Sequence, residues 1–112
     1  MNTTALINIG ALVSGRLEES LLDADTIIIE GDKIAAVGQK DILSNFAIEK
    51  TIDVKGMTVT PGLIDSHCHP VLGDFTPRQK TVDYLDSCHH GGVTTFISAG
   101  EAHTPGRPKD VE

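Results

Sequence analysis

Pro61 and Pro70 bracket the run Gly62-Leu63-Ile64-Asp65-Ser66-His67-Cys68-His69, and the two prolines constrain what that run can become. Proline has no N–H to give to a sheet ladder, so it is tolerated at the start or end of a strand and excluded from its middle. The apolar start and polar finish between them therefore read as one short strand that gives way to a loop. Side chains of an extended strand alternate between two faces, so Leu63, Asp65, His67 and His69 share one face while Ile64, Ser66 and Cys68 share the other. Both imidazoles can then reach one metal ion, with Asp65 a pleat deeper to orient a histidine or support the ligands from behind. Zinc takes three protein ligands in a catalytic site and four in a closed structural one, so further donors must come from elsewhere. The spacing also fits a second reading, in which the histidines are only polar caps on a buried strand.

Upstream, the signals are those of a small β module. Ala5 to Ile9 read as a strand ended by Gly10, which Leu12-Val13 can continue before the turn at Ser14-Gly15. Two β-prone runs, Thr26 to Glu30 and Lys33 to Val37, are separated by Gly31-Asp32, and a two-residue connection with glycine first is a tight hairpin. Ile42 to Phe46 reads as a helical turn and Thr51 to Val54 as a further strand closed by Lys55-Gly56. Strands this short, with aromatics at 4% and no Trp, leave sheet edges that require partners from elsewhere.

Downstream the period changes. Thr76-Pro77-Arg78-Gln79 offers a hydroxyl cap, proline at the first helical position and Gln three residues after the cap, the pattern of a helix start. Val82, Leu85 and His89 recur at helical spacing, flanked by Tyr84 and Cys88, until Gly91-Gly92; the expected helix spans 77–90. Val93 to Ala99 reads as a buried strand, and strand, helix, strand at this length is a parallel crossover. One crossover does not cover both faces of a parallel sheet, so the chain is expected to be the front of a larger α/β protein.

A chain of 112 residues with net charge −7 and no acidic run argues against nucleic acid or an anionic membrane as a partner. The N-terminus has no basic segment before Arg16, which argues against export. The two cysteines, Cys68 and Cys88, each sit beside histidine and read as reduced thiols of a cytoplasmic protein. His89 and His90 fit the carbonyl end of the helix.

The stretch Val59-Thr60-Pro61-Gly62-Leu63-Ile64-Asp65-Ser66-His67-Cys68-His69 resembles the signature that opens the barrel in the metal-dependent amidohydrolase superfamily. The resemblance implies a (β/α)8 metallo-hydrolase barrel whose first β-α-β is residues 57–112, preceded by residues 1–56 as part of a composite β-sandwich. It implies His67 and His69 as ligands in a binuclear site of divalent metal, zinc or alternatively iron or manganese. The other ligands and a catalytic aspartate would lie beyond Glu112, leaving no catalytic residue in this segment and the segment alone inactive.

Phe75 to Thr81, Gly91 to Thr95 and His103 to Asp110 further resemble a lactam-opening member of that superfamily. This implies a small cyclic amide, 6-oxo-1,4,5,6-tetrahydronicotinate, opened by attack of metal-bound hydroxide, in a full-length homo-oligomer. Arg107 is the candidate to hold the substrate carboxylate, since a guanidinium binds carboxylates in bidentate fashion; a solvated loop arginine is the alternative. Other enzyme readings are a dihydroorotase, hydantoinase or imidazolonepropionase type. A reading of another class is a metal-stabilised binding module using Cys68 or His69 with Cys88, His89 or His90.

Overall fold

β-branched runs punctuated by glycine produce nine strands among the described residues, in the order β1 (Thr3–Ile7), β2 (Ala11–Val13), β3 (Leu21–Leu22), β4 (Thr26–Glu30), β5 (Lys33–Gly38), a 3-10 helix (Lys40–Asn45), β6 (Lys50–Asp53), β7 (Thr58–Val59), β8 (Leu63–Cys68), α1 (Thr81–His90) and β9 (Val93–Ser98). The structure is a computed structural model that describes residues 2–70 and 80–100. It divides into two units, Met1–Pro61 and Gly62–Glu112.

In the first unit β5-β4-β1-β6 form one sheet and β3-β2-β7 another. The expected hairpin is present: Glu30 pairs with Lys33, and Gly31 takes φ 63, which glycine adopts without steric cost. Leu12-Val13 do not continue the first strand. Asn8 takes φ 57 and breaks the ladder, so β2 starts a second sheet, antiparallel to β3 and parallel to β7. Neither β3 nor β7 is legible as a strand from two residues. Because β7 pairs with β2, residues 57–61 belong with the first unit, and the boundary falls after Pro61 rather than at residue 56.

The pairs Leu6↔Ile27 and Thr4↔Ile29 turn one face of the larger sheet inward. Ile27 there joins Ile9, Leu12 and Val54, with Leu6, Leu22, Ala24, Ile29 and Val59 packed around them. Full burial of each such aliphatic side chain stabilises by about 1.5–3 kcal/mol. On the opposite face Thr26 and Ile28 are completely buried, and the 3-10 helix covers them near Gly38, where an added Cβ would stand 3.0 Å from Ile42. The β1 and β6 ends are closed by backbone: Gly10 N–H donates to Met57 O at 3.0 Å and Gly56 N–H to Asn8 O at 2.7 Å.

The second unit holds β8 and β9 side by side, parallel, with α1 between them in sequence and packed on β9. Two expectations change here. Lys80 is extended and caps a helix that begins at Thr81, so the helix does not start at 77; the proposed cap, Thr76 to Gln79, lies outside the described residues. The half-buried side of α1 is Thr81, Tyr84, Leu85 and Cys88, while Val82 is 74% exposed. Nor is β9 buried: Ile97, like Leu63 and Ile64 on β8, is more than half exposed. Two strands and one helix do not cover both faces of a parallel pair.

Candidate metal centre

β8 ends at Cys68, and His67 and His69 straddle that end. The glycine of the Pro-Gly pair is needed for the strand to dock, because a Cβ on Gly62 would fall 2.0 Å from Thr94 Oγ1 on β9. Strict alternation along β8 does not hold. Asp65 pairs with Phe96 and Cys68 with Ser98, three steps on β8 against two on β9, which is a bulge. Bulges re-aim side chains next to sites, and this one lies across Ser66 and His67.

The two imidazoles nevertheless meet, with ring centroids 5.3 Å apart and planes at 79°. Two imidazoles bound at about 2.1 Å to one tetrahedral ion hold their centroids roughly 5 Å apart, the separation found here. His69 Nδ1 lies 3.0 Å from Gly100 O. A carbonyl only accepts, so Nδ1 carries the proton and donates, and in the neutral ring the lone pair is left on Nε2, as a ligand requires. Asp65 does not reach an imidazole nitrogen as expected from the pleat. Its Oδ1 accepts the backbone N–H of His67 at 3.1 Å, so the carboxylate holds the backbone at His67 instead of the ring.

Cys68 turns away from the pair and is 4% exposed; its Sγ–H contacts Ile97 O at 3.5 Å. Burial pushes its thiol pKa up, and the charges of Asp65 and Cys88 push the same way. Burial likewise raises the Tyr84 hydroxyl, with Cys88 and then Cys68 adding to it. Cys68 is thus a packed, weakly polar group at the end of β8. His90 Nδ1 donates to Asp86 O at 2.8 Å in the last turn of α1, whereas His89 Nδ1 donates to Val93 O at 3.3 Å on the first residue of β9.

The donor chemistry fits a divalent ion on His67 and His69, and among the described residues no group of three or more His, Cys, Asp or Glu side chains could hold one. A small closed site drawing on Cys68, Cys88, His89 or His90 is therefore not assembled by the described residues. Arg107 and His103 lie outside the described residues. Sequence reasoning missed the Gly100 carbonyl; the signal was a glycine directly after the strand that pairs with the histidine strand.

No protein-family model matches the chain. Among curated relatives, it is 51% identical over 111 residues to enamidase of Eubacterium barkeri, covering 99% of this chain and 29% of that protein. It is 38% identical over 103 residues to imidazolonepropionase of Fusobacterium nucleatum, covering 78% of this chain and 25% of that protein. The crystal structure of enamidase, a member of the amidohydrolase superfamily, matches with a TM-score of 0.80 at 50% identity, over 97% of this chain and 28% of that one. Atrazine chlorohydrolase from Arthrobacter aurescens TC1, complexed with zinc, matches with a TM-score of 0.51 at 36% identity, over 59% of this chain and 14% of that one. The chain spans about a quarter of the length of the curated relatives it matches.

Proposed function

This chain is homologous to the N-terminal part of enamidase, a member of the amidohydrolase superfamily, and from that premise we propose that it is the N-terminal segment of a metal-dependent hydrolase that opens a cyclic amide. The observation that carries the reading is the identity of 51% over 111 residues, a span that includes the whole histidine strand. In this reading the first unit is part of a composite β-sandwich and β8-α1-β9 is the first β-α-β of a (β/α)8 barrel. In such barrels the chemistry is built at the carboxyl ends of the strands, which is where His67 and His69 stand.

A divalent ion held by those two imidazoles, zinc by analogy with the chlorohydrolase complex, supplies Lewis-acid polarisation and an acidified water, the requirements for hydrolysing an unactivated amide. What this chain contributes is ligand geometry. Gly100 O stands 3.0 Å from His69 Nδ1, and Asp65 Oδ1 accepts the His67 backbone N–H. Arg107 is proposed to bind the substrate carboxylate, and the remaining donors and the proton-handling aspartate to lie outside the described residues. The enzyme is taken to be a cytoplasmic homo-oligomer.

The substrate proposed is 6-oxo-1,4,5,6-tetrahydronicotinate. A second reading, an imidazolonepropionase, has in its favour the identity of 38% to that enzyme. The test is turnover by the full-length, zinc-loaded protein of that lactam against 4-imidazolone-5-propionate, hydantoin and dihydroorotate. Ring opening of the lactam, lost on chelation and restored by zinc, is the expected result. Preferential turnover of the imidazolone establishes the second reading, and no turnover of any cyclic amide rejects both.

A further inference from the structure

The end of β9 is tied to the end of β8 by two hydrogen bonds, and a third braces the turn between them. Ala99 N–H donates to Cys68 O at 2.7 Å, Gly100 N–H donates to Ser98 Oγ at 3.1 Å, and His69 Nδ1 donates to Gly100 O at 3.0 Å. Ser98 is itself the register partner of Cys68, the residue between the two histidines. Gly100 takes φ 93, a conformation that a Cβ makes strained and that glycine reaches freely.

We propose that the turn Ser98-Ala99-Gly100 is the positioning device of this centre: through the Gly100 carbonyl it selects the Nδ1–H tautomer of His69, so that the ring offers Nε2 to the metal. The proposal rests on His67 and His69 being metal ligands, and it assigns Gly100 and Ser98 a role that neither has through a direct contact with the ion. The physical requirement is simple. A neutral imidazole has one N–H, and whichever nitrogen carries it cannot ligate. Here the only acceptor placed against Nδ1 by the described residues is a backbone carbonyl, whose direction depends on a glycine-only backbone angle. The serine hydroxyl accepts the Gly100 N–H and so holds the peptide on the other side of the Gly100 Cα. Outer partners of this kind are worth about 10–100-fold in metal affinity.

The experiment is a long-range 1H–15N spectrum of the full chain labelled with 15N-histidine. It is recorded without metal above the imidazole titration range, with His69 assigned by His69→Gln, followed by a zinc titration. The expected wild-type result is a protonated Nδ1 and a pyridine-type Nε2 at His69. Gly100→Ala is expected to shift His69 toward the Nε2–H form and to weaken zinc binding by about 10–100-fold. Gly100→Asn, which tolerates positive φ better, is expected to retain more of both. Ser98→Ala, which introduces no backbone strain, is expected to move the tautomer in the same direction by less. Wild-type His69 in the Nε2–H form, or a tautomer unmoved by both Gly100→Ala and Ser98→Ala, overturns the proposal while leaving metal binding by the pair intact. A Nδ1–H tautomer with no zinc-induced change at either ring overturns instead the metal reading, and with it the proposal's ligand role.

Discussion

Asp65 Oδ1 accepts the backbone N–H of His67 at 3.1 Å across the bulge in β8. The carboxylate therefore acts on the backbone of β8 as a hydrogen-bond acceptor. Asp65→Asn keeps an oxygen acceptor and is expected to retain zinc affinity within a few-fold. Asp65→Ala is expected to lose about 10-fold or more, by analogy with other outer partners of metal ligands. Calorimetric zinc titration of the three proteins checks this; equal affinities would remove Asp65 from the centre.

His67 and His69 are expected to be individually indispensable, because their rings approach to 5.3 Å and among the described residues no third donor completes a group with them. His67→Ala and His69→Ala in the full-length protein should each reduce cyclic-amide hydrolysis to the level of the chelated wild type, and added zinc should not restore it. Activity that survives either change would exclude the pair as ligands of the catalytic ion.

Cys68 separates the enzyme reading from the binding-module reading. Its thiol is buried, turned to Ile97 O and raised in pKa by burial, so it is expected to resist thiol reagents near neutral pH while the half-buried Cys88 reacts first. Cys68→Ala should leave zinc affinity within a few-fold. A loss as large as that of His69→Ala would mean that the thiolate is a ligand and that the site is a closed one.

Asp53 provides the pH test in the first unit. Its pKa lies below the usual carboxylate range, held there first by a hydrogen bond with the Asn8 side chain and then by the Lys55 backbone N–H, which donates to Asp53 Oδ1 at 2.8 Å. A group whose pKa is depressed on folding contributes stability above its unfolded pKa and loses it as pH falls through the folded value. The contribution is therefore present at neutral pH and disappears in the acid range. Asn8→Gly keeps the positive φ of 57 and removes the side chain, so the Asp53 carboxyl, followed by NMR, is expected to titrate at higher pH than in the wild type. An unchanged titration would rule out the Asn8 contact as the cause.

Gly10→Ala is expected to be among the most damaging single changes in the first unit. A Cβ there would stand 1.9 Å from Gly56 O and 2.7 Å from its carbonyl carbon, and neither backbone atom can rotate aside. Separation of the two segments would cost the Gly10 N–H to Met57 O and Gly56 N–H to Asn8 O bonds as well. A loss of about 4 kcal/mol or more, in the range reserved for such steric and hydrogen-bond failures, should appear as a folding defect in thermal unfolding. A shift under about 1 kcal/mol would show that the two turns can part without cost.

Local sequence determined the elements whose cause is local. The hairpin at Gly31-Asp32 follows from turn chemistry, β8 from its bracketing prolines, and the parallel crossover from the change of period between β8 and α1. The histidine pair was legible for the same reason, since two residues apart on an extended chain is a short distance whatever the rest of the fold does. Tertiary structure decided what depends on a partner distant in sequence. β3 and β7 exist only because β2 lies between them, and the extended Lys80 sets the start of α1 at Thr81. The bulge that redirects Asp65 is a property of two paired strands. His69 Nδ1 meets a carbonyl 31 residues later. A single strand's pattern carries no information about the register of its neighbour, and that register sets both the bulge in β8 and the carbonyl that His69 meets.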